Sequence, residues 1–210
     1  MQTRPHIHLR TGDPKDLDAF YRISLATGDL GRDASALHNF PKLIGHIYSA
    51  PYLKFAPQLT CVVEHNGDVL GYCAGVADTT DFATVLEENW WPNLRKTYPR
   101  PDPTNRATWT ADDHRIEAIH APEHTPASVT TRFPAHLHMN LMPILQGHAI
   151  GADLLDAWFR QARDHDIAAV HIGANARNAR AVRFWAKQGF QPIETPDAKQ
   201  SRTAWMGRDI

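Results

Sequence analysis

Residues 134–190 carry the most restrictive pattern in the chain. After Pro134, the run AHLHMNLM alternates polar and apolar side chains with the period of two of a buried strand. PILQGHAIG then turns into a helix whose apolar positions, Ile150, Leu154, Leu155, Trp158 and Ala162, recur at helical spacing up to about His165. AAVHIGA reads as another strand. Asn178 caps a second helix with Ala181, Val182 and Trp185 on its core face, and Gly189 stops it. FQPIE and TAWMGR read as closing strands. A strand, turn, helix, strand and helix in this order require an α/β or α+β class.

The first of these helices begins in an unusual way. Gln146-Gly147-His148-Ala149-Ile150-Gly151 contains small residues, and no acid appears before Asp153. Carboxylates ordinarily stabilise the positive end of a helix dipole, so their exclusion suits a site where a bound anion takes that place. The glycines let a phosphate approach the main chain closely. Read alone, the hexapeptide fits an ordinary glycine-containing helix start equally well.

Taken in order, Gln146-x-x-Ala149-x-Gly151 and Asn178-x-x-Ala181-x-x-Phe184-Trp185-x-Lys187-x-Gly189-Phe190 resemble the acetyl-CoA core of the GNAT acyltransferases. In that family the first motif reads Q/R-x-x-G-x-G/A and the second ends in Y-x-K-x-G-F. Further segments, APYLKFAPQLTCVVEHNGDVLGYCAGVADTTDF, WWPNLRKTYPRP and FPAHLHMNL, resemble the acetyltransferase-like C-terminal domain of O-GlcNAc hydrolases and its bacterial stand-alone relatives, over most of residues 40–195. The resemblance implies the GNAT fold: a mixed, mostly antiparallel sheet of six or seven strands, splayed at the centre and flanked by helices. It implies one domain over residues 1–210, with an insertion at about 79–133. It also implies acetyl-CoA as cosubstrate and transfer of acetyl to an amine or peptide acceptor by direct attack on the thioester. The alternative is a catalytically weak or inactive relative that serves as a CoA-binding or interaction module.

Carried over position by position, Met139, Leu141 and Met142 would line the pantetheine and thioester. Gln146, Gly147, His148, Ala149, Ile150, Gly151 and Ala152 would cradle the pyrophosphate. Asn178 would bond the pantetheine arm, or serve only as an N-cap, and Phe184 and Trp185 would lie near the sulfur or in the core. Two positions depart from the family: Ala149 replaces a usual glycine, which is tolerable if its φ is negative, and Trp185 replaces a tyrosine that protonates the departing thiolate in many members.

The missing acid matters less than a base. A thiol of pKa about 8.5 leaves tolerably well, whereas an amine of pKa about 10.4 is neutral in only about one part in 10^3.4 at pH 7, roughly 4.6 kcal/mol to overcome. On the Pro134–Leu141 strand, His136, His138 and Asn140 share the face opposite Met139 and Leu141. His138 is the candidate base, Glu117 and the Asp112-Asp113 pair are alternatives, and Asn140 is a further catalytic candidate on the same face. A backbone N–H at a bulge near Leu141 would receive the oxyanion. His136 and His138 could also chelate a metal, as could His6 and His8, but no third ligand has useful spacing, so no metal is expected.

The remaining chain is compatible with one domain. Ile7–Arg10 reads as an opening strand, Asp13-Pro14 as a helix start, and Pro41–Ser49 as a helix. Thr60–Glu64 and Val69–Ala77 form a hairpin turning on Asn66-Gly67. A two-residue turn with uninterrupted register sets Cys61 opposite Tyr72, so that Cys61 and Cys73 point to opposite faces as free thiols. Between 79 and 133, helices are expected only near Phe82–Trp90 and Asp112–Ile119, with the proline-rich 97–105 non-helical. This segment is expected to close over the acceptor side. With 42% hydrophobic residues, 21% charged and a net charge of −1, nothing draws the chain to nucleic acid or an anionic membrane. The first residues lack the apolar core of a secretory signal, and a cytoplasmic location is expected.

Overall fold

The structure is a computed structural model that describes residues 5–196 and 202–210. Its strands are β1 (His8–Thr11), β2 (Thr60–His65), β3 (Asp68–Val76), β4 (Ala135–Leu141), β5 (Ala169–Asn175), β6 (Gln191–Pro192) and β7 (Thr203–Asp209). They form one sheet in the order β1-β2-β3-β4-β5-β7-β6. Every neighbouring pair is antiparallel except β4 and β5, which run parallel. This agrees with the mixed, mostly antiparallel sheet of six or seven strands that the resemblance implies.

Six helices cover one face: α1 (Leu17–Ala26), α2 (Leu43–Tyr48), α3 (Ala50–Phe55), α4 (Thr79–Asn89), α5 (Trp91–Thr97) and α6 (Ala111–His120). A short α7 (Ala127–Thr130) precedes β4. The other face receives α8 (Ile150–Asp164) and α9 (Ala179–Lys187). The period of two in the strands divides the sheet between the two cores. Val62, Tyr72 and Ala74 enter the first, and Cys61, Val63, Cys73 and Leu137 the second. The stripe read from the sequence of α8 is buried as expected, with Trp158 fully enclosed and its indole N–H donating to Leu59 O at 2.9 Å. Among the described residues, no helix is long and apolar enough to cross a membrane.

The chain starts α1 through a capping box. Asp13 accepts from Lys15 N, while Asp16 accepts from Asp13 N within a short 3-10 turn that begins at Pro14. Two expectations need correction. The hairpin does turn on Asn66-Gly67 with His65 opposite Asp68, but a bulge between Val63 and Glu64 shifts the register by one residue. Cys61 therefore lies opposite Cys73 on the same face, and both are free, buried thiols. Residues 79–133 are also more regular than expected: α4 to α7 fill them, and a 3-10 turn runs over Pro103–Thr108. Pro103 sits at the first position of that turn, where its missing N–H costs nothing, and Asp102 caps it.

Candidate functional site

The sheet opens at the parallel pair of β4 and β5. β4 and β5 are joined at Ala135↔Val170 and His136↔His171, and from Leu137 onward β4 pairs with β3 alone. The two strands diverge toward their carboxyl ends, where β4 passes through a 3-10 turn at Pro143–Leu145 into α8. In the connecting loop the N–H groups of Gly147, His148, Ala149, Ile150 and Gly151 meet no acceptor among the described residues, and the first helical bonds are those of Ala152 N and Asp153 N to Ala149 O. Gly147 has φ +82, and a side chain added there would meet nothing within 4 Å. Unpaired donors at a helix start, beside open space and with no acid before Asp153, fit a phosphate-bearing ligand.

Gln146 ties this loop to its surroundings. Its amide donates to Leu141 O at 2.8 Å and accepts from the Arg180 guanidinium at 2.5 Å, joining the end of β4 to the first turn of α9. A Cβ on Gly151 would lie 3.2 Å from the Phe184 ring and 3.3 Å from Leu141 Cδ1, so the small residue lets α8, α9 and β4 converge. The structure thus gathers Leu141, Gln146, Gly151 and Phe184 at the open end. Asn178 caps α9 by accepting from Ala181 N at 3.0 Å. Trp185 is a core residue, packed edge-on against Phe184 and Phe190 at 5.1 and 5.0 Å between ring centres. Met139 and Leu141 pack against the α8 side and Met142 against the other.

The catalytic candidates have different surroundings. His138 follows the last parallel pair on the face toward α2 and α3, with its ring 5.7 Å from Tyr48 and 5.3 Å from Tyr52. It retains partial exposure, and no described residue hydrogen-bonds to it. Burial lowers its pKa to about 4, helped by His171, so it is neutral at pH 7. Asn140 is engaged at both ends, accepting from Tyr72 Oη at 3.1 Å and donating to Thr27 Oγ1 at 2.6 Å. Glu117 forms a two-pronged pair with Arg100 at 2.9 and 2.7 Å, which holds its carboxyl below the usual range. Asp112 is likewise committed, to His38 Nδ1 and Asn39 N, each at 2.7 Å. β4 runs from His136 to Leu141 in unbroken register with β3, so the bulge expected near Leu141 is absent there. Tyr48 and Arg115, which contact His138 directly and at one remove, carry no sequence motif and emerge only from the packing.

No family model matches the chain. The crystal structure of SsHAT is 29% identical and superposes with a TM-score of 0.88 over 98% of each chain. The PaiA N-acetyltransferase from Thermoplasma acidophilum, solved in complex with coenzyme A, is 12% identical with a TM-score of 0.58 over 98% of this chain and 99% of that one. The chain has the GNAT fold. In sequence it is similar to the Protein O-GlcNAcase of Rattus norvegicus, 19% identical over 197 residues, or 94% of this chain. It spans about a fifth (21%) of the length of that relative.

Within the GNAT frame, Ala149 is the anomaly. Its φ is +61, in the left-handed region that the usual glycine occupies without cost. The negative φ that would have made alanine harmless is not adopted. An L-residue there costs about 1 kcal/mol. Ala149→Gly is therefore expected to raise stability by up to about 1 kcal/mol, or roughly 2–4 °C in Tm for a chain of this size. A lower Tm would show that the strain is relieved elsewhere.

Proposed function

We propose that this chain is an acetyl-CoA-dependent N-acetyltransferase. The observation that carries the reading is the coincidence, at one end of the parted β4 and β5, of an open strand edge and a helix start with unpaired N–H groups. In this assignment Gln146 to Ala152 hold the pyrophosphate, while Met139, Leu141 and Met142 line the pantetheine arm. Phe184 closes the sulfur end, and Asn178 has one amide group left for the arm beyond its cap. Acetyl-CoA, when bound, supplies the thioester carbonyl that the amine attacks, forming the C–N bond as the C–S bond breaks.

His138 is assigned as the proton acceptor. Its neutral ring is ready at pH 7, although a pKa of about 4 makes it too weak to deprotonate a free ammonium. It is suited to take the proton as the C–N bond forms, when the nitrogen becomes far more acidic. Asn140, held by Tyr72 and Thr27, is assigned to positioning, and Glu117, committed to Arg100, to supporting the insertion. Trp185 has no proton to give. Trp185→Phe is expected to keep most of the turnover while losing about 1–3 kcal/mol of stability, because it removes core volume rather than chemistry. A rate collapse in a folded, CoA-binding variant would return the position to the chemistry.

Calorimetry with CoA, followed by mass spectrometry of an amine and peptide panel incubated with acetyl-CoA, tests the reading. Failure to bind CoA would sink it. The strained Ala149 and the protonless Trp185 favour a second reading, a CoA-binding module without turnover. CoA binding with no acetylated product across the panel would select it.

A further inference from the structure

On the assumption of acetyl transfer, the acceptor's second functional group is readable from the residues around His138. α6 carries several charged side chains, and its three carboxylates are each bonded to a group outside the helix. Asp112 accepts from Asn39 N and pairs with His38, Asp113 closes the capping box with Thr110, and Glu117 pairs with Arg100. Arg115 differs. Its polar partner is the phenol of Tyr48, to which it donates at 2.9 Å, and its guanidinium lies 5.4 Å from the centre of that ring. No described carboxylate lies within 4.0 Å of it.

Position gives this cation a direction. His138 stands just past the point where β4 leaves β5, its ring lies against Tyr48, and Tyr48 lies against Arg115. The three side chains are each partly exposed, whereas their neighbours Ser49, Ala50, Tyr52, Ile116 and Ile119 are buried. Contact by contact, they connect the parted strands to α6. A guanidinium with no ion-pair partner at the outer end of this series repels an acceptor bearing a second ammonium and attracts one bearing a carboxylate.

We propose that the acceptor is a small primary amine carrying a carboxylate, with Arg115 binding the carboxylate and the amine directed along Tyr48 toward His138. The test uses γ-aminobutyrate, its amide and putrescine, which share one chain length and differ in charge at the far end. ε-Aminocaproate extends the series. Each is titrated calorimetrically into CoA-saturated protein. At least one of the two amino acids is expected to bind about tenfold or more tightly than the amide, and putrescine more weakly than either. Arg115→Gln should reduce the amino acid to the affinity of the amide without changing CoA affinity, and Arg115→Lys should restore part of the difference. Equal binding of all ligands overturns the proposal. So does an equal loss for all of them in Arg115→Gln, which would mark a structural role, and so does the absence of amino-acid binding to protein that binds CoA. If CoA itself does not bind, acetyl transfer fails as a reading, and the same titration without CoA still decides the carboxylate site.

Discussion

Replacing His148 by glutamate is expected to weaken CoA binding by a hundredfold or more. His148 lies in the middle of the loop whose N–H groups lack acceptors, its φ is not in the left-handed region, and it is only partly buried. The fold should therefore accept the change. A carboxylate there would face a pyrophosphate at contact range, and like charges about 4–5 Å apart near a protein surface repel by roughly 3–4 kcal/mol, more than a hundredfold in affinity. Gly151 is a poorer place for this test, because any side chain there must first displace Phe184 and Leu141. His148→Gln is the control and should bind nearly as the parent does. Calorimetry showing unchanged affinity in His148→Glu would mean that the pyrophosphate is held elsewhere.

Acid is expected to destabilise the fold steeply between about pH 6.5 and 4. Four histidines are held neutral. His136 bonds through both ring nitrogens, to Tyr52 Oη at 2.7 Å and Thr79 Oγ1 at 2.8 Å, and burial drives its pKa well below normal. Burial lowers His46 and His138 to about 4, and lowers His171, whose Nδ1 lies 2.6 Å from Phe133 O. In the unfolded chain each ring takes up a proton near pH 6.5, while in the folded chain it does so only at lower pH, near 4 for His46 and His138. Across that window the unfolded state holds more protons, so stability is full above about 6.5 and falls as the pH drops. Each unit of depression is worth at most about 1.36 kcal/mol per ring, and the partial exposure of His46 and His138 reduces their share. Urea midpoints at pH 7.5, 6 and 5 should fall in that order, and His138→Gln should flatten the slope. A midpoint constant from pH 7.5 to 5 would show that these rings are solvated.

What the sequence disclosed and what it hid follow from the range of the interactions. The helix start at Ile150, the buried stripe to Ala162, the Asn178 cap and the Gly189 stop are set by neighbours within a few residues, and each is found where local pattern places it. The cysteine register escapes local pattern because one bulged residue in β3 reverses every facing relation beyond it. The commitment of Glu117 to Arg100 and of Asn140 to Tyr72 and Thr27 depends on contacts 17 to 113 residues apart, which no local pattern encodes. The sign of φ at Ala149 was illegible for another reason. Alanine carries no signal for a left-handed conformation, and the loop imposes one.

The two-residue junction between β4 and β5 also bears on how the molecule holds together as it unfolds. Hydrogen bonds across it are too few to make β1–β4 and β5–β7 a single cooperative block. That coupling falls to α8, whose buried side chains share a core with Val63 and Leu137 on one side and with Val170, Ile172, Phe190 and Met206 on the other. The helix that begins at the anion-binding loop is thus also the rivet between the two halves. Loosening its packing would let them come apart as separate foldons before either one melts.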